Sequence, residues 1–219
     1  MLIPNSINME LQPVMIFGAS GLGKVALEIF KSQDILVYCL LDDDKDLHGS
    51  EIDEVGILGS TDDDSFIRYV GKKCDAFIAL EDPSKRKELI DRLLKKRKAM
   101  PVNAVHKAAV VASNAFLGYG NLVNATAVIS AGCKVPNHCI INTGAVLEHG
   151  VELGDFVQIG ANATINANVK IGEGALIGSG SIIAAGIQIG EGAQVAPGSL
   201  VLKDVEEGTT VFGSPAQEI

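Results

Sequence analysis

The sequence predicts a small α/β domain followed by a long parallel β-helix, and three observations carry this prediction. From Val111 to Val201 every sixth residue is Val, Leu or Ile, at sixteen successive positions. A second register four residues later, from Ala115 to Ser199, holds small or aliphatic residues with Asn121 as the exception. Before these repeats, short apolar runs alternate with glycine turns and helical segments, a pattern typical of α/β domains.

The period of six favours a parallel β-helix over the alternatives. Helices repeat every ~3.6 residues and strands every two, whereas an antiparallel sandwich would show turn signals every ~8–12 residues. In a β-helix each hexad supplies one strand and one corner, and three hexads close a triangular coil of about 18 residues. The sixteen hexads therefore predict about five coils, roughly 25 Å tall at a spacing of ~4.8 Å.

Gly or Asn follows most of the large inward residues, and we expect these positions to turn the corners. Both residue types tolerate the left-handed backbone that a tight corner often requires. The positions are Gly118, Asn124, Asn142, Gly154, Gly160, Asn166, Gly172, Gly178 and Gly190.

The chain before the repeats opens with a strand, a glycine turn and a helix. The strand is Val14–Phe17, and the helical segment runs from Lys24 to Lys31. This context suits a phosphate cradle, because glycines let the backbone approach the ligand and the helix N-terminus favours an anion. A purely structural βα turn is the alternative. The candidate binding residues are Gly18, Ala19, Ser20, Gly21 and Gly23.

A second predicted strand, Ile35–Leu41, runs directly into Asp42, Asp43 and Asp44. An acidic residue at this place, about 20 residues past the glycines, contacts a ribose in Rossmann-like sites. We therefore include Asp42 and Asp43 in the candidate nucleotide site. A solvated acidic loop is the alternative interpretation, and it is stronger for Asp44.

The rest of the first domain continues the α/β pattern. We predict a weak strand at Val55–Leu58, a helix capped by Thr61, and a strand at Cys74–Leu80. Asp82 is expected to cap a final helix with Pro83 at its first position. The predicted domains are residues 1–105 and 106–219.

Composition excludes several classes of function. The net charge of −9 argues against a nucleic-acid partner. The segment Ala108–Cys133 carries no charge but keeps the hexad register, so we predict β-helix and not a membrane span. Residues 1–12 lack the features of a signal peptide. Cys133 and Cys139 fall on the small inward register and are predicted to be buried, while Cys39 and Cys74 lie in predicted strands. Four cysteines without a CxxC motif predict no disulfide framework, no metal site and a cytoplasmic location.

His149 is the strongest candidate for chemistry among the four histidines. It lies two positions after Leu147, outside both inward registers, and must therefore point away from the core. An outward imidazole can act as a general base at neutral pH, although surface decoration is the more frequent role of a lone histidine. His48, His106 and His138 fit ordinary loop, junction and corner positions.

The hexads, the segment GASGLGK (18–24) and the segment NTGAVLEH (142–149) together resemble the bacterial nucleotide-sugar acetyltransferases. These include the N-acetyltransferases of bacillosamine and perosamine synthesis and the sialic acid O-acetyltransferases. The resemblance implies an α/β N-terminal half-Rossmann domain followed by a left-handed parallel β-helix. It also implies a nucleotide sugar instead of a dinucleotide at the glycine turn, and a homotrimer with active sites between neighbouring subunits.

The resemblance implies roles for individual residues. His149 would be the general base, and Asn142 would help to hold the accepting sugar. Acetyl-CoA would lie along the later coils, near the residues that match the family's contacts: Gln158, Ala167, Ser179 and Pro197. The chain departs from the family at three places, with Leu22 and Gln158 in place of histidines and Gly150 in place of a glutamate.

These features predict an acetyl-CoA-dependent N-acetyltransferase that acts on a nucleotide-linked amino sugar. O-acetylation of a sialic acid is an alternative with the same fold, and a non-catalytic β-helix binding protein is an alternative from another class. Stabilisation by UDP or GDP would favour the first, since a free sialic acid carries neither nucleotide.

Overall fold

A computed structural model describes residues 12–219. It confirms the predicted fold class, a half-Rossmann α/β domain followed by a left-handed parallel β-helix. The prediction about a signal peptide concerns the first residues of the chain, of which residues 1–11 lie outside the described part.

The N-terminal domain is built on three parallel strands in the order β2-β1-β5 within the described residues. The central strand β1 is fully buried because apolar residues face helices on both sides of the sheet. The elements in chain order are β1 (Val14–Phe17), α1 (Gly21–Ser32), β2 (Val37–Leu41), β3 (Glu51–Ile52), β4 (Val55–Gly56), α2 (Asp64–Ile67), β5 (Asp75–Ile78) and α3 (Pro83–Arg97).

Two details of this domain differ from the sequence prediction. Helix α2 is capped by Asp63, whose Oδ1 accepts a hydrogen bond from the Ser65 amide, so the predicted cap at Thr61 is wrong. Strands β3 and β4 form a small antiparallel hairpin. The sequence did not predict this hairpin, because both segments are short and mix polar with apolar residues. The predicted cap at Asp82 is confirmed, with Pro83 in the first turn of α3.

The β-helix has three flat faces of two-residue strands. Within residues 12–219, face 1 has six strands, face 2 has five, and face 3 has eight including a terminal hairpin. Face 1 comprises Val110–Val111, Val128–Ile129, Val146–Leu147, Thr164–Ile165, Ile182–Ile183 and Leu200–Val201. Face 2 comprises Phe116–Leu117, Lys134–Val135, Glu152–Leu153, Lys170–Ile171 and Gln188–Ile189. Face 3 comprises Ala104–Val105, Leu122–Val123, Ile140–Ile141, Gln158–Ile159, Leu176–Ile177, Gln194–Val195, Thr210–Gly213 and Ala216–Glu218.

The β-helix is about one coil taller than the hexads predict. Face 3 starts with Ala104–Val105, before the first hexad, and continues past the last hexad with Thr210–Gly213. Both additions pair in parallel with the strand next to them. Val105 keeps the period of six, since it lies six residues before Val111, whereas Val211 is out of register because the last corner is two residues shorter. The division of the chain at residues 105 and 106 stays a proposal.

The large hexad residues form the core as predicted, but glycine is needed at the predicted corners for a different reason. None of the nine predicted corner residues has a positive φ; the left-handed positions lie two residues later, as at Gly120, Thr126 and Gly144. At a predicted corner such as Gly154, an added Cβ would come within 2.5 Å of the Glu173 backbone nitrogen. Glycine is needed there because successive coils approach closely, so the predicted reason was wrong.

Face 3 of the β-helix carries the N-terminal domain. The outward side chains of its first three strands, Ala104, Leu122 and Ile140, are buried in one apolar cluster with Leu27 and Phe30 of α1. Because this cluster spans both domains, the first coils are covered while the outward residues of the later coils stay accessible to a ligand or a partner.

A stack of three side chains closes the same junction beside α3. The Arg86 guanidinium lies 5.6 Å from the ring centroid of Phe156, and that ring stacks on His138 at 5.1 Å. Arg86 is only 2% exposed, and its Nε and Nη2 have no hydrogen-bond partner in the described chain. The contact with an aromatic face is therefore its main compensation for burial.

This junction predicts an acid sensitivity of the fold. Burial, with a further contribution from Arg86, lowers the pKa of His138 to about 4 despite the opposing charge of Asp155. The unfolded chain, with a histidine pKa of about 6.5, binds the proton first, so the free energy of unfolding should fall as pH drops from about 6.5 to 4, by about 3 kcal/mol at most. Denaturant titrations of wild type and His138→Asn across this pH range should show a free energy of unfolding that depends less on pH in the variant. Parallel profiles would contradict the prediction.

Candidate active site

The glycine turn between β1 and α1 is held in a tight conformation against strand β5. Gly18 has φ +118°, and a Cβ there would lie 2.5 Å from the carbonyl oxygen of Ala79. A Cβ at Gly23 would overlap the Gly18 carbonyl, whereas one at Gly21 would meet only the Glu81 carboxylate at 3.2 Å. Gly18 and Gly23 therefore have structural roles, and Gly21 remains an exposed position beside the helix N-terminus.

The predicted acidic residues contact the glycine turn and its surroundings. Asp42 Oδ2 accepts a hydrogen bond from the Ala19 amide at 2.7 Å, which fastens the turn to the end of β2. Asp43 Oδ1 accepts hydrogen bonds from the Thr61 amide and hydroxyl at 2.9 and 2.8 Å. Ser20 is the N-cap residue of α1 but makes no side-chain capping bond, and its hydroxyl lies 3.5 Å from Glu81 Oε1. The structure thus places all seven candidate nucleotide residues at the carboxyl edge of the sheet.

A cavity of about 390 Å³ opens at this edge, between the end of β2 and helix α3. Its walls include Asp43, Thr61, Leu80 and Leu89, with Lys85 and Arg92 at the side of α3. Its volume falls within the usual range for small-molecule sites. Sequence reasoning missed Thr61, Leu80 and Glu81 as neighbours of the site. The signal available was their place directly after strands that end at the same edge of the sheet.

His149 lies on the corner between faces 1 and 2 and is exposed, as its register predicts. Its carbonyl accepts a hydrogen bond from the Asn168 amide at 3.0 Å, so the backbone is fixed by the next coil while the imidazole is left at the surface. Gly150 has φ +71°, and an added Cβ would overlap Asn168 Oδ1. A side chain at this position would require a left-handed backbone and a shift of the Asn168 amide.

Asn142 lies on a different corner, between faces 3 and 1. Its Nδ2 donates to the Ile159 carbonyl at 3.0 Å, and Asn166 makes the same contact with Ile183 at 2.7 Å. The amide of Asn142 therefore has a clear structural role in joining two coils. Its contact with a sugar stays a prediction.

The four predicted acyl-donor residues do not share one corner of the chain. Ala167 follows His149 on the same corner, one coil later. Ser179 and Pro197 are on successive coils at the corner between faces 3 and 1, joined by the hydrogen bond from the Gly198 amide to the Ser179 carbonyl. Gln158 begins a strand of face 3. A single chain therefore brings Ala167, but not the other three, to the corner of His149.

All four cysteines are free and buried, which confirms the burial predicted for Cys133 and Cys139. Burial raises the pKa of Cys39 and Cys139 to about 12. Among residues 12–219, no three His, Cys, Asp or Glu side chains are grouped in a way that could hold a metal ion. The helices of that same stretch are all too short or too polar to cross a membrane.

Several solved structures resemble the whole chain. The perosamine N-acetyltransferase PerB from Caulobacter crescentus, solved with CoA and GDP-perosamine, is 28% identical, with 94% of this chain and 97% of that chain covered and a TM-score of 0.85. The acetyltransferase domain of PglB from Neisseria gonorrhoeae, solved with acetyl coenzyme A, is 26% identical, with 95% and 100% covered and a TM-score of 0.87. WeeI from Acinetobacter baumannii is 26% identical, with 94% and 99% covered and a TM-score of 0.83.

Family models match both parts of the chain. The model of the PglD N-terminal domain matches residues 13–93, and the model of the bacterial transferase hexapeptide (six repeats) matches residues 132–167 and 168–203. None of the curated proteins compared with the chain matches it. The chain therefore joins a PglD-type N-terminal domain, residues 13–93, to bacterial transferase hexapeptide repeats, residues 132–203.

Proposed function

We propose that this transferase moves the acetyl group of acetyl-CoA to the amino group of a nucleotide-linked 4-amino-deoxysugar, in the synthesis of a surface-glycan or glycoprotein sugar. The observation that carries the proposal is the exposed His149 on a rigid β-helix corner, in a chain whose other domain presents a glycine turn and a helix N-terminus. PerB, which is similar over 94% of this chain, was solved with CoA and GDP-perosamine.

In the proposed mechanism, His149 acts as the general base. Its imidazole accepts the proton that the sugar amine loses while the new nitrogen–carbon bond forms. The carbon–sulfur bond of the thioester then breaks, and CoA leaves as a thiolate that takes up a proton. Backbone N–H groups stabilise the negative charge on the carbonyl oxygen. Asn142 orients the sugar, and no covalent enzyme intermediate is required.

In this proposal, the diphosphate of the nucleotide sugar binds at the glycine turn. The free N–H groups and the dipole at the start of α1 favour phosphate oxygens. Asp42 holds the turn through the Ala19 amide, and the cavity beside Asp43 offers room for the nucleoside. The base is either uracil or guanine. Four buried free thiols suit a reducing compartment, so we place the reaction in the cytoplasm.

We further propose a homotrimer with shared active sites. The outward residues of face 1 form an apolar column of Val110, Val128, Val146, Thr164, Ile182 and Leu200. Those of face 2 are mostly polar, with Lys134, Glu152, Lys170 and Gln188. A continuous, exposed and mostly apolar column of six residues favours self-association. A neighbouring copy packed on face 1 would also supply Gln158, Ser179 and Pro197, which one chain cannot bring to its own His149.

An assay of thiol release from acetyl-CoA tests the function. We expect release with a UDP- or GDP-linked 4-amino sugar, and no release with the corresponding 4-hydroxy sugar as the matched control. Release of the thiol with sialic acid, and with none of the amino sugars, would indicate O-acetylation and would contradict the proposed N-acetylation. Binding of CoA without release in the presence of any acceptor would support a non-catalytic protein.

Gly21→Val tests the nucleotide site. An added Cβ would meet only the flexible Glu81 carboxylate, so we expect the fold to survive, while the branched side chain would keep phosphates away from the turn. We expect affinity for the nucleotide sugar to fall at least about tenfold, the equivalent of one lost hydrogen bond to a charged group. Gly21→Ala should lose less of this affinity, because its side chain is smaller. Calorimetry should show unchanged CoA binding, and an equal loss of both ligands would contradict the assignment.

A further inference from the structure

Helix α3 forms one wall of the cavity at the carboxyl edge of the sheet, and it also rests against the β-helix. The residues on its cavity side are Lys85, Glu88, Leu89 and Arg92, which recur on one face of the helix. The helix starts directly after Asp82, and the carboxylate of the preceding Glu81 lies beside Gly21 of the glycine turn. The placement of α3 on the β-helix therefore sets where a ligand of this cavity lies relative to the repeats.

Two residues of α3 reach the β-helix at the corner between faces 2 and 3. The Arg86 guanidinium lies 5.6 Å from the centroid of the Phe156 ring, and Lys87 Nζ lies 5.9 Å from the same centroid. Lys87 also forms a salt bridge of 3.9 Å with Glu173, one coil later on this corner. The Phe156 ring stacks on the His138 ring of the previous coil. The contact between the helix and the repeats is thus centred on Phe156.

The two stacked rings occupy backbone positions that disfavour side chains. Phe156 has φ +61°, and His138 has φ +60°. At the same position of the flanking coils the chain has Gly120 and Gly174, with φ +66° and +67°. A left-handed backbone costs free energy for any residue with a Cβ, and a bulky aromatic residue rarely adopts it. The chain therefore keeps two rings where glycine would be less strained.

Arg86 adds a second cost at the same place. The residue is 2% exposed, and its Nε and Nη2 have no hydrogen-bond partner among residues 12–219. Burial lowers the pKa of its guanidinium, because the charged form loses hydration there. A buried charge without a hydrogen-bonded partner is usually less stabilising than an apolar side chain of the same size. Stability of the fold therefore does not explain an arginine at this position.

The stack provides orientation. A planar guanidinium favours a defined placement over an aromatic face, whereas an aliphatic side chain packs in many ways. The rings themselves are held by the backbone of the previous coil. The Phe156 amide donates to the Asn137 carbonyl at 3.0 Å, and the His138 amide donates to the Tyr119 carbonyl at 2.8 Å. Strained backbone of this kind is retained where a fixed geometry is required.

We infer, on the basis of the function proposed above, that Arg86 is a positioning residue for acetyl transfer. Its contact with Phe156 fixes α3 on the β-helix, so that a nucleotide sugar bound in the cavity presents its amine to the His149 of the shared site. Arg86 does not line the cavity and acts only through the placement of the helix. Loss of the contact should lower kcat and leave substrate affinity unchanged, since a displacement of about 1 Å can slow a reaction about 100-fold.

Two variants test this role. Arg86→Met keeps most of the length of the side chain but removes its charge and its plane. Phe156→Gly removes the ring and relieves the left-handed backbone. We expect kcat to fall at least about tenfold in both variants. Calorimetry should show wild-type affinities for CoA and for the nucleotide sugar, and the melting temperature of Arg86→Met should equal or exceed that of wild type.

A double variant and two comparisons sharpen the test. Arg86→Met and Phe156→Gly break the same contact, so kcat of the double variant should fall no further than that of the slower single variant. Arg86→Lys should recover part of kcat, because an ammonium group can still lie over the ring. The matched control is Lys95→Met, which makes a similar change at an exposed position of α3 and should leave kcat as in wild type.

Two outcomes would overturn the role of Arg86. Wild-type kcat in both single variants would show that the contact does not set the rate. A fall of kcat accompanied by a lower melting temperature and by weaker binding of the nucleotide sugar would show a structural role. Failure of the proposed function is seen separately, because wild type would then transfer acetyl to no amino sugar, and that result would overturn both.

Discussion

His149→Ala is expected to lower kcat by roughly 10²–10⁴-fold while the KM values for both substrates change little, since a general base acts mainly in the transition state. The imidazole is exposed and fixed only through its backbone, so its removal should not disturb the core. Steady-state kinetics with each substrate varied in turn is the measurement.

Two further measurements separate catalysis from structure in this variant. Added imidazole should restore part of the activity of His149→Ala, because a small base can occupy the vacated position. The melting temperature and the affinity for CoA should match wild type. Near-normal turnover of the variant would place the reacting amine elsewhere and would remove the main support for the active-site assignment.

Ile182→Glu is expected to separate the trimer and to abolish most of the activity. Ile182 projects from face 1 and is 45% exposed in the single chain, so the substitution leaves the core of the β-helix intact. In the trimer it would place three carboxylates against apolar neighbours, and the cost of burying unpaired charge should exceed what the interface provides. Activity should fall at least about 100-fold, because each site would lack the residues supplied by a neighbour.

Native mass spectrometry and kinetics on the same samples test this prediction. Gln188→Glu is the matched control, since it introduces the same charge on an exposed strand of the polar face 2. The control should stay trimeric and active, and Ile182→Glu should keep its affinity for the nucleotide sugar. A fully active monomer, or a trimer that tolerates the glutamate, would rule out face 1 as the shared interface.

The hexads predicted the β-helix so well because a solenoid is stabilised by contacts between equivalent positions of neighbouring coils. Ile141 and Ile159 stack because they are 18 residues apart, so a local period already contains the tertiary contact. The same spacing of 18 residues shows which candidate residues share a corner of the β-helix. His149 and Ala167 are 18 residues apart, whereas Gln158 and Ser179 are not separated from His149 by a multiple of 18, and counting alone would have placed them away from its corner.

The nature of the corners was harder to predict, because two glycine requirements look alike in a sequence. Gly150 has a positive φ, which favours glycine through the backbone. Gly154 has an ordinary φ and is glycine because Glu173 of the next coil lies against it. Distinguishing the two required the coordinates of the following coil, and residue type alone led to the wrong explanation.

The sequence by itself determined the fold class, the outward direction of His149 and the glycine turn before α1, since each depends on residues close together in the chain or on a strict repeat. Only the tertiary structure decided which residues complete the site. Asp42 and Asp43 are held by Ala19 and Thr61, and Arg86 is buried against Phe156, about 70 residues away in sequence. Such contacts follow from how the two domains and their loops pack in space, and no local period of the sequence encodes that packing.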